Sequence, residues 1–100
     1  MSGSDGLPDR LVTIVNRRGL HARAAAKFVK LADSFDAVVT VERGGVSVDG
    51  RSIMGLMMFG AGPGAELRLE ATGPEAAAAL AALCDLIARG FDEDVSAPPD

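Results

Sequence analysis

The chain has a single histidine, His21, with an arginine two positions after it. Imidazole is in large part unprotonated at neutral pH and can then act as a nucleophile. The guanidinium of Arg23 could pair two oxygens of a phosphoryl group. Together these residue types suit a transient phosphohistidine that needs no metal. The structural alternative is a histidine that only caps a helix, and spacing alone does not separate the two.

Two segments flank His21 and must position it. Residues 10–16, RLVTIVN, alternate and are rich in β-branched side chains, which predicts a strand. Residues 21–33, HARAAAKFVKLAD, have apolar side chains at helical spacing, which predicts a helix. His21 therefore lies at the helix start, where free N–H groups and the helix dipole favour an anion. The backbone N–H groups of Ala22 and Arg23 are the candidate phosphate donors.

The rest of the chain predicts a small α+β domain. Gly44-Gly45 separates two β-branched segments, as in a hairpin, and Ser52 is placed to cap a short helix. Residues 65–72 alternate like a strand. The final helix starts near Pro74 and stops at Gly90. The order β-α-β-β-α-β-α predicts a four-stranded antiparallel sheet with three helices on one face.

The domain is predicted to span residues 10–91, between a flexible lead of residues 1–9 and an acidic disordered tail of residues 92–100. The polar start lacks the apolar core of a signal peptide, and the longest apolar run is too short to span a membrane. These features predict a cytoplasmic protein. The lone Cys84 excludes an internal disulfide and is expected to pack as a small apolar residue.

The net charge of −4 is unevenly distributed. Residues 1–30 have six basic and two acidic residues, whereas residues 31–100 have four basic and twelve acidic ones. The positive charge gathers around His21, which favours an anionic ligand or an acidic partner. The acidic balance of the whole chain, and predicted strands whose cores lack aromatic residues, argue against an RNA-binding module.

Two motifs resemble those of the HPr family, the histidine-containing phosphocarriers of the bacterial phosphoenolpyruvate-dependent phosphotransferase system. The family's first pattern is Gly-Leu-His-x-Arg-Pro-Ala-x-x-Phe-Val. The matching residues here are Gly19, Leu20, His21, Arg23, Ala25, Phe28 and Val29. The second segment, RSIMGLMMFG, is similar to the family's region around its regulatory serine. Ala24 departs from the pattern, which has proline there, and this puts the transfer rate in question rather than the role.

The resemblance implies an HPr-like open-faced sandwich and a carrier rather than an enzyme. It implies that Nδ1 of His21 takes a phosphoryl group from phosphorylated enzyme I and passes it to a histidine of an EIIA-type protein, while Arg23 stabilises the moving charge. No cofactor, metal, nucleic-acid partner or membrane insertion is expected. A monomer is expected. The resemblance leaves open whether the chain serves sugar uptake or a nitrogen-type regulatory system.

The second motif implies two further roles. Ser52 matches the serine modified by HPr kinase/phosphorylase in systems that contain that enzyme. The apolar residues after it are too many for a short helix to bury, so some are expected to form an exposed partner site. The predicted docking residues are Ile53, Met54, Met57, Lys27 and Lys30. The alternative function is a regulatory HPr-like module that binds partners through the Ser52 helix without productive phosphoryl transfer.

Overall fold

A computed structural model describes residues 9–93. The remainder of the predicted lead and tail lies outside the described residues. The elements are β1 (Asp9–Thr13), α1 (Ala22–Asp33), β2 (Val38–Arg43), β3 (Val46–Asp49), α2 (Ile53–Met58), β4 (Glu66–Thr72) and α3 (Ala76–Ala88), followed by a short 3-10 turn, Gly90–Asp92. This is the order that the sequence predicted. Three residues assigned to the termini are placed differently: Asp9 starts β1, Asp92 ends the 3-10 turn, and Glu93 follows it.

The four strands form one antiparallel sheet in the order β1-β4-β2-β3. Successive side chains of β4 point to opposite faces of the sheet. On one face Leu67, Leu69 and Ala71 are buried, whereas Arg68 and the other residues of the opposite face are more exposed. Helix α3 packs on β1 and β4, and α1 packs on α2 and α3. The architecture is therefore an open-faced sandwich, with its helices covering one side of the sheet.

The helices owe their positions to apolar stripes. In α1 the buried residues are Ala24, Ala25, Phe28 and Ala32. In α3 the apolar stripe includes Leu80, Leu83 and Ile87, which are completely or almost completely buried. Glu75 precedes α3, but its side chain makes no capping hydrogen bond; its carboxylate instead accepts a hydrogen bond from Asp36 N–H at 2.6 Å.

A left-handed turn follows α3. Gly90, Phe91 and Asp92 have φ angles of 68°, 57° and 62°. Glycine adopts this conformation freely, whereas each of the other two residues costs about 1–2 kcal/mol there. Complete burial of the Phe91 ring offsets that cost. Lys27 Nζ donates to the carbonyl oxygen of Phe91 at 2.7 Å. The turn thereby brings Glu93 back to the start of α1.

Cys84 is partly buried and packs against the core, so it is less enclosed than the rest of its stripe. Burial raises the pKa of its thiol, an effect that the charge of Arg10 opposes only in part. We therefore expect iodoacetamide to alkylate Cys84 at neutral pH more slowly than a free thiol, because less thiolate is present. Mass spectrometry against time measures the rate. Equal rates in the native and the urea-unfolded protein would contradict this expectation.

Candidate functional site

His21 is the N-cap residue of α1. Its backbone is extended, with φ −76° and ψ 179°, and its Nδ1 accepts a hydrogen bond from the backbone N–H of Arg23 at 3.2 Å. Its carbonyl oxygen accepts from Ala25 N–H at 2.8 Å. The predicted position at the helix start is confirmed. Because a backbone N–H can only donate, Nδ1 must present a lone pair, and it does so at the positive end of the helix.

A tight loop delivers His21 to that position. Gly19 has φ 67°, and its N–H donates to the Asn16 carbonyl oxygen at 3.1 Å. Leu20 N–H donates to the Ala61 carbonyl oxygen at 2.9 Å, which ties the loop to the segment after α2. The side chain of Asn16 is completely buried, and its Nδ2 donates to the Gly19 carbonyl oxygen at 2.8 Å. The loop is therefore fixed from both sides before the helix begins.

The second ring nitrogen of His21 meets a carboxylate. Nε2 lies 2.5 Å from Glu93 Oε2, and both side chains are largely enclosed, at 15% and 16% exposed. The other carboxylate oxygen accepts from Asn16 Nδ2 at 3.0 Å. Partial burial by itself would raise the pKa of the Glu93 carboxyl, but the hydrogen bonds from Asn16 and His21 outweigh it, and the pKa lies below its ordinary range. Glu93 is thus ionised at neutral pH.

A cavity of about 460 Å³ opens beside this pair. Its lining residues are Arg17, Arg18, Arg23 and Glu93. The first three residues are exposed. Three arginines of the basic segment near His21 therefore line an open space large enough for a phosphoryl group. Among residues 9–93, no group of three or more histidine, cysteine or acidic side chains could hold a metal ion.

The second motif folds as predicted into a capped short helix. Ser52 Oγ accepts from Gly55 N–H at 2.9 Å, which confirms its N-cap position. Ile53, Met54 and Met57 are 39%, 73% and 42% exposed. We call these three side chains the α2 patch. The expectation of an exposed apolar surface is confirmed, and the helix that bears the patch packs against the helix that His21 caps.

The two predicted docking lysines have different environments. Lys30 is exposed, whereas Lys27 is partly buried and its ammonium is bound to the Phe91 carbonyl oxygen. Lys27 therefore has a structural contact in addition to any role at a partner surface.

Comparison with known families agrees with this arrangement. The family model described as "PTS HPr component phosphorylation site" matches residues 9–89. The chain belongs to the HPr family. Its members are phosphocarrier proteins of the phosphotransferase system, so this HPr-family chain is a carrier rather than an enzyme.

Named relatives cover nearly the whole domain. The phosphocarrier protein HPr of Cupriavidus necator is 49% identical over 84% of this chain and 94% of its own length. The phosphocarrier protein NPr of Shewanella violacea is 45% identical over 85% of this chain and 93% of its own length. The crystal structure of HPr-C-His from Thermoanaerobacter tengcongensis is 39% identical, with a TM-score of 0.84 over 88% of this chain and 99% of that one. In the described part of this HPr-family chain, no helix is both long and apolar enough to cross a membrane.

Sequence reasoning missed two residues of the site. Glu93 was assigned to a disordered tail, and Asn16 to the end of a strand. Their contacts join parts of the chain that are 77 residues apart. No local spacing could have indicated this pair, because its geometry depends on the left-handed turn after α3. The sequence counted Arg17 and Arg18 only among the basic residues near His21. The structure shows in addition that both line the cavity.

Proposed function

We propose that Nδ1 of His21 accepts a phosphoryl group from phosphorylated enzyme I and passes it to a histidine of an EIIA-type protein. One observation supports this above the others. The Nδ1 lone pair lies at the N-terminus of α1, where it faces the backbone N–H of Arg23. A lone pair in that place is a nucleophile with anion-stabilising donors already around it.

The transfer requires positioning and charge stabilisation more than any other chemistry. The Nδ1 lone pair attacks phosphorus, the bond from phosphorus to the donor's nitrogen breaks, and the donor imidazole leaves with that electron pair. The phosphoryl oxygens then lie toward the N–H groups of Ala22 and Arg23. The Arg23 side chain lines the adjacent cavity and can pair with those oxygens. The reverse sequence passes the group to the next histidine.

Partner docking is assigned to the α2 patch and the basic residues beside it. The α2 patch groups three exposed apolar side chains on one short helix, and clustered exposed apolar residues often mark partner sites. Lys30 and Lys27, together with the arginines of the cavity, would meet acidic partner surfaces and speed encounter. A carrier must leave each partner after transfer, so we expect a small, transient interface and a carrier that acts as a monomer.

The direct test offers the chain the expected donor. The protein is mixed with enzyme I, Mg²⁺ and phosphoenolpyruvate, and intact-mass measurement follows the gain of one acid-labile phosphate. The phosphorylated form is then presented separately to EIIA proteins of sugar-uptake and nitrogen-type systems, since relatives named HPr and NPr both match well. Absence of any gain, with enzyme I active on another carrier, would favour the regulatory module that acts through the Ser52 helix.

We also propose that Ser52 is a regulatory phosphorylation site. Its N-cap position tolerates added negative charge, but a phosphate of −1.5 to −2 charges would stand beside the α2 patch. We expect Ser52→Asp to slow phosphoryl transfer from enzyme I by about tenfold, which corresponds to about 1.4 kcal/mol of lost electrostatic complementarity. The initial rate of phosphate gain at low ionic strength measures this effect.

Ser52→Asn is the matched control, because asparagine caps a helix as well as aspartate does but has no charge. Its rate should stay within about twofold of the parent. If both variants slow transfer equally, the cause is a change in the cap rather than charge, and the regulatory proposal fails.

A further inference from the structure

Glu93 contacts the ring nitrogen that the proposed transfer does not use. Its carboxylate lies 2.5 Å from His21 Nε2, while Nδ1 accepts from Arg23 N–H on the opposite side of the ring. The imidazole is thus held between one acceptor and one donor. With Nδ1 unprotonated, the ring proton resides on Nε2 and is donated to the carboxylate.

We propose that Glu93 is a positioning residue, which holds His21 in the Nε2–H tautomer and offsets the charge that the ring acquires on phosphorylation. This proposal rests on the proposed function, since it assigns a role in the same transfer. It concerns a residue that touches the imidazole and not the phosphoryl group. The logic is that of the carboxylate in a serine-protease triad, which fixes the tautomer of its histidine and stabilises the imidazolium.

The charge balance of the transfer explains why a carboxylate is useful there. When neutral His21 attacks through Nδ1, the lone pair becomes the new nitrogen–phosphorus bond and the proton stays on Nε2. The ring therefore becomes an imidazolium without any proton transfer. An ionised Glu93 at 2.5 Å from Nε2 stabilises this positive charge, in an enclosed place where water screens it less than at the open surface.

The orientation of Glu93 is itself fixed. Asn16 Nδ2 has two hydrogens, and it donates one to the Gly19 carbonyl oxygen and the other to Glu93 Oε1. Oε2 is left to face His21. The backbone of Glu93 is held as well, because its N–H donates to the Gly90 carbonyl oxygen at 3.0 Å. A surface side chain that met the ring by chance would have no such support.

The arrangement also shows what an amide would do in place of the carboxylate. In Glu93→Gln the single oxygen is needed by Asn16, so the amide N–H₂ would face His21 Nε2 as a donor. The ring could accept this bond only as the Nδ1–H tautomer, which would oppose Arg23 N–H and remove the nucleophilic lone pair. If the glutamine amide turned the other way, its N–H₂ would face Asn16 Nδ2. Both groups are donors, so no hydrogen bond could form between them.

The test combines a spectroscopic and a kinetic measurement on three variants. The ¹⁵N chemical shifts of the ring nitrogens, recorded at a pH at which the ring is neutral, report which nitrogen bears the proton. We expect Glu93→Gln to increase the Nδ1–H population and to slow phosphate gain from enzyme I by about tenfold to a hundredfold. Glu93→Ala removes the acceptor at Nε2 but keeps the Arg23 N–H donor at Nδ1, so it should show a smaller effect. Asp92→Asn makes the same chemical change at the neighbouring residue and should match the parent.

Several results would overturn the proposal. An unchanged tautomer in Glu93→Gln, or a changed tautomer with an unchanged rate, would remove the positioning role. Faster phosphate gain in Glu93→Ala would mean that the carboxylate obstructs the site. If the parent itself gains no phosphate, the proposed function fails, yet the tautomer of the unphosphorylated variants still decides whether Glu93 positions the ring.

Discussion

His21→Asn is expected to abolish the acid-labile phosphate that the parent gains from enzyme I and phosphoenolpyruvate. The amide has no nitrogen lone pair available for nucleophilic attack, whereas the imidazole presents one at Nδ1. We expect no detectable gain of acid-labile phosphate by this variant even after long incubation, because the chain has no other imidazole. Intact-mass spectrometry before and after acid treatment measures it.

Asparagine is chosen because it separates chemistry from folding. His21 caps α1 through Nδ1, and an asparagine oxygen can accept the same hydrogen bond from Arg23 N–H. The variant loses the contact with Glu93, so its free energy of unfolding should fall by only about 1 kcal/mol. His21→Ala loses the cap as well and should fall by about 1 kcal/mol more. An acid-labile phosphate on folded His21→Asn would place the carrier site at another residue and refute the assignment.

Gly19→Ala is expected to have the largest effect on stability of any single methyl group added near the site. A Cβ at this position would overlap the Ala61 carbonyl oxygen and lie 2.9 Å from Gly62 Cα, and both neighbours are backbone. The residue also has φ 67°, which L side chains rarely adopt. The hydrogen bond from Leu20 N–H to the Ala61 carbonyl oxygen would have to stretch. Together these effects should lower the free energy of unfolding by about 3–4 kcal/mol.

Thermal unfolding followed by circular dichroism measures this loss, which should lower Tm by more than about 10 °C. Gly44→Ala is the control. Gly44 has φ 60°, but nothing lies within 4 Å of the added Cβ, so only the conformational cost of about 1–2 kcal/mol applies. Equal destabilisation by the two variants would show that the close approach to Ala61 is unimportant. Phosphate gain by the fraction of Gly19→Ala that remains folded should also fall, because the loop delivers His21 to the helix start.

Much of the fold follows from local patterns in the sequence. The alternation of residues 66–72 produces a strand with one buried face, and the apolar spacing in α1 and α3 produces helices that pack on that face. Ser52 and His21 are both at helix starts, as predicted, since capping depends on residues only two or three positions apart. Patterns that involve only neighbouring residues can be identified from the sequence without the structure.

The terminal boundaries could not be predicted in the same way. Composition placed Asp92 and Glu93 in an acidic tail, because acidic residues near a terminus usually stay solvated. The structure instead has three consecutive left-handed residues, and two of them are not glycine. Burial of Phe91 and the hydrogen bond from Lys27 to its carbonyl oxygen stabilise this conformation. Such stabilisation comes from packing against distant residues and has no local signature.

The sequence by itself predicted His21 as the nucleophile, and it determined that this histidine stands at the positive end of a helix with an arginine two residues after it. These follow from residue types within a few positions of one another. Only the tertiary structure decided what lies against the other side of the imidazole. The Glu93 carboxylate reaches His21 across 72 residues of chain, and it does so because the turn after α3 reverses direction at a buried phenylalanine. A contact between residues so far apart in sequence depends on how the helices and the sheet pack together, and local residue spacing does not reveal that packing.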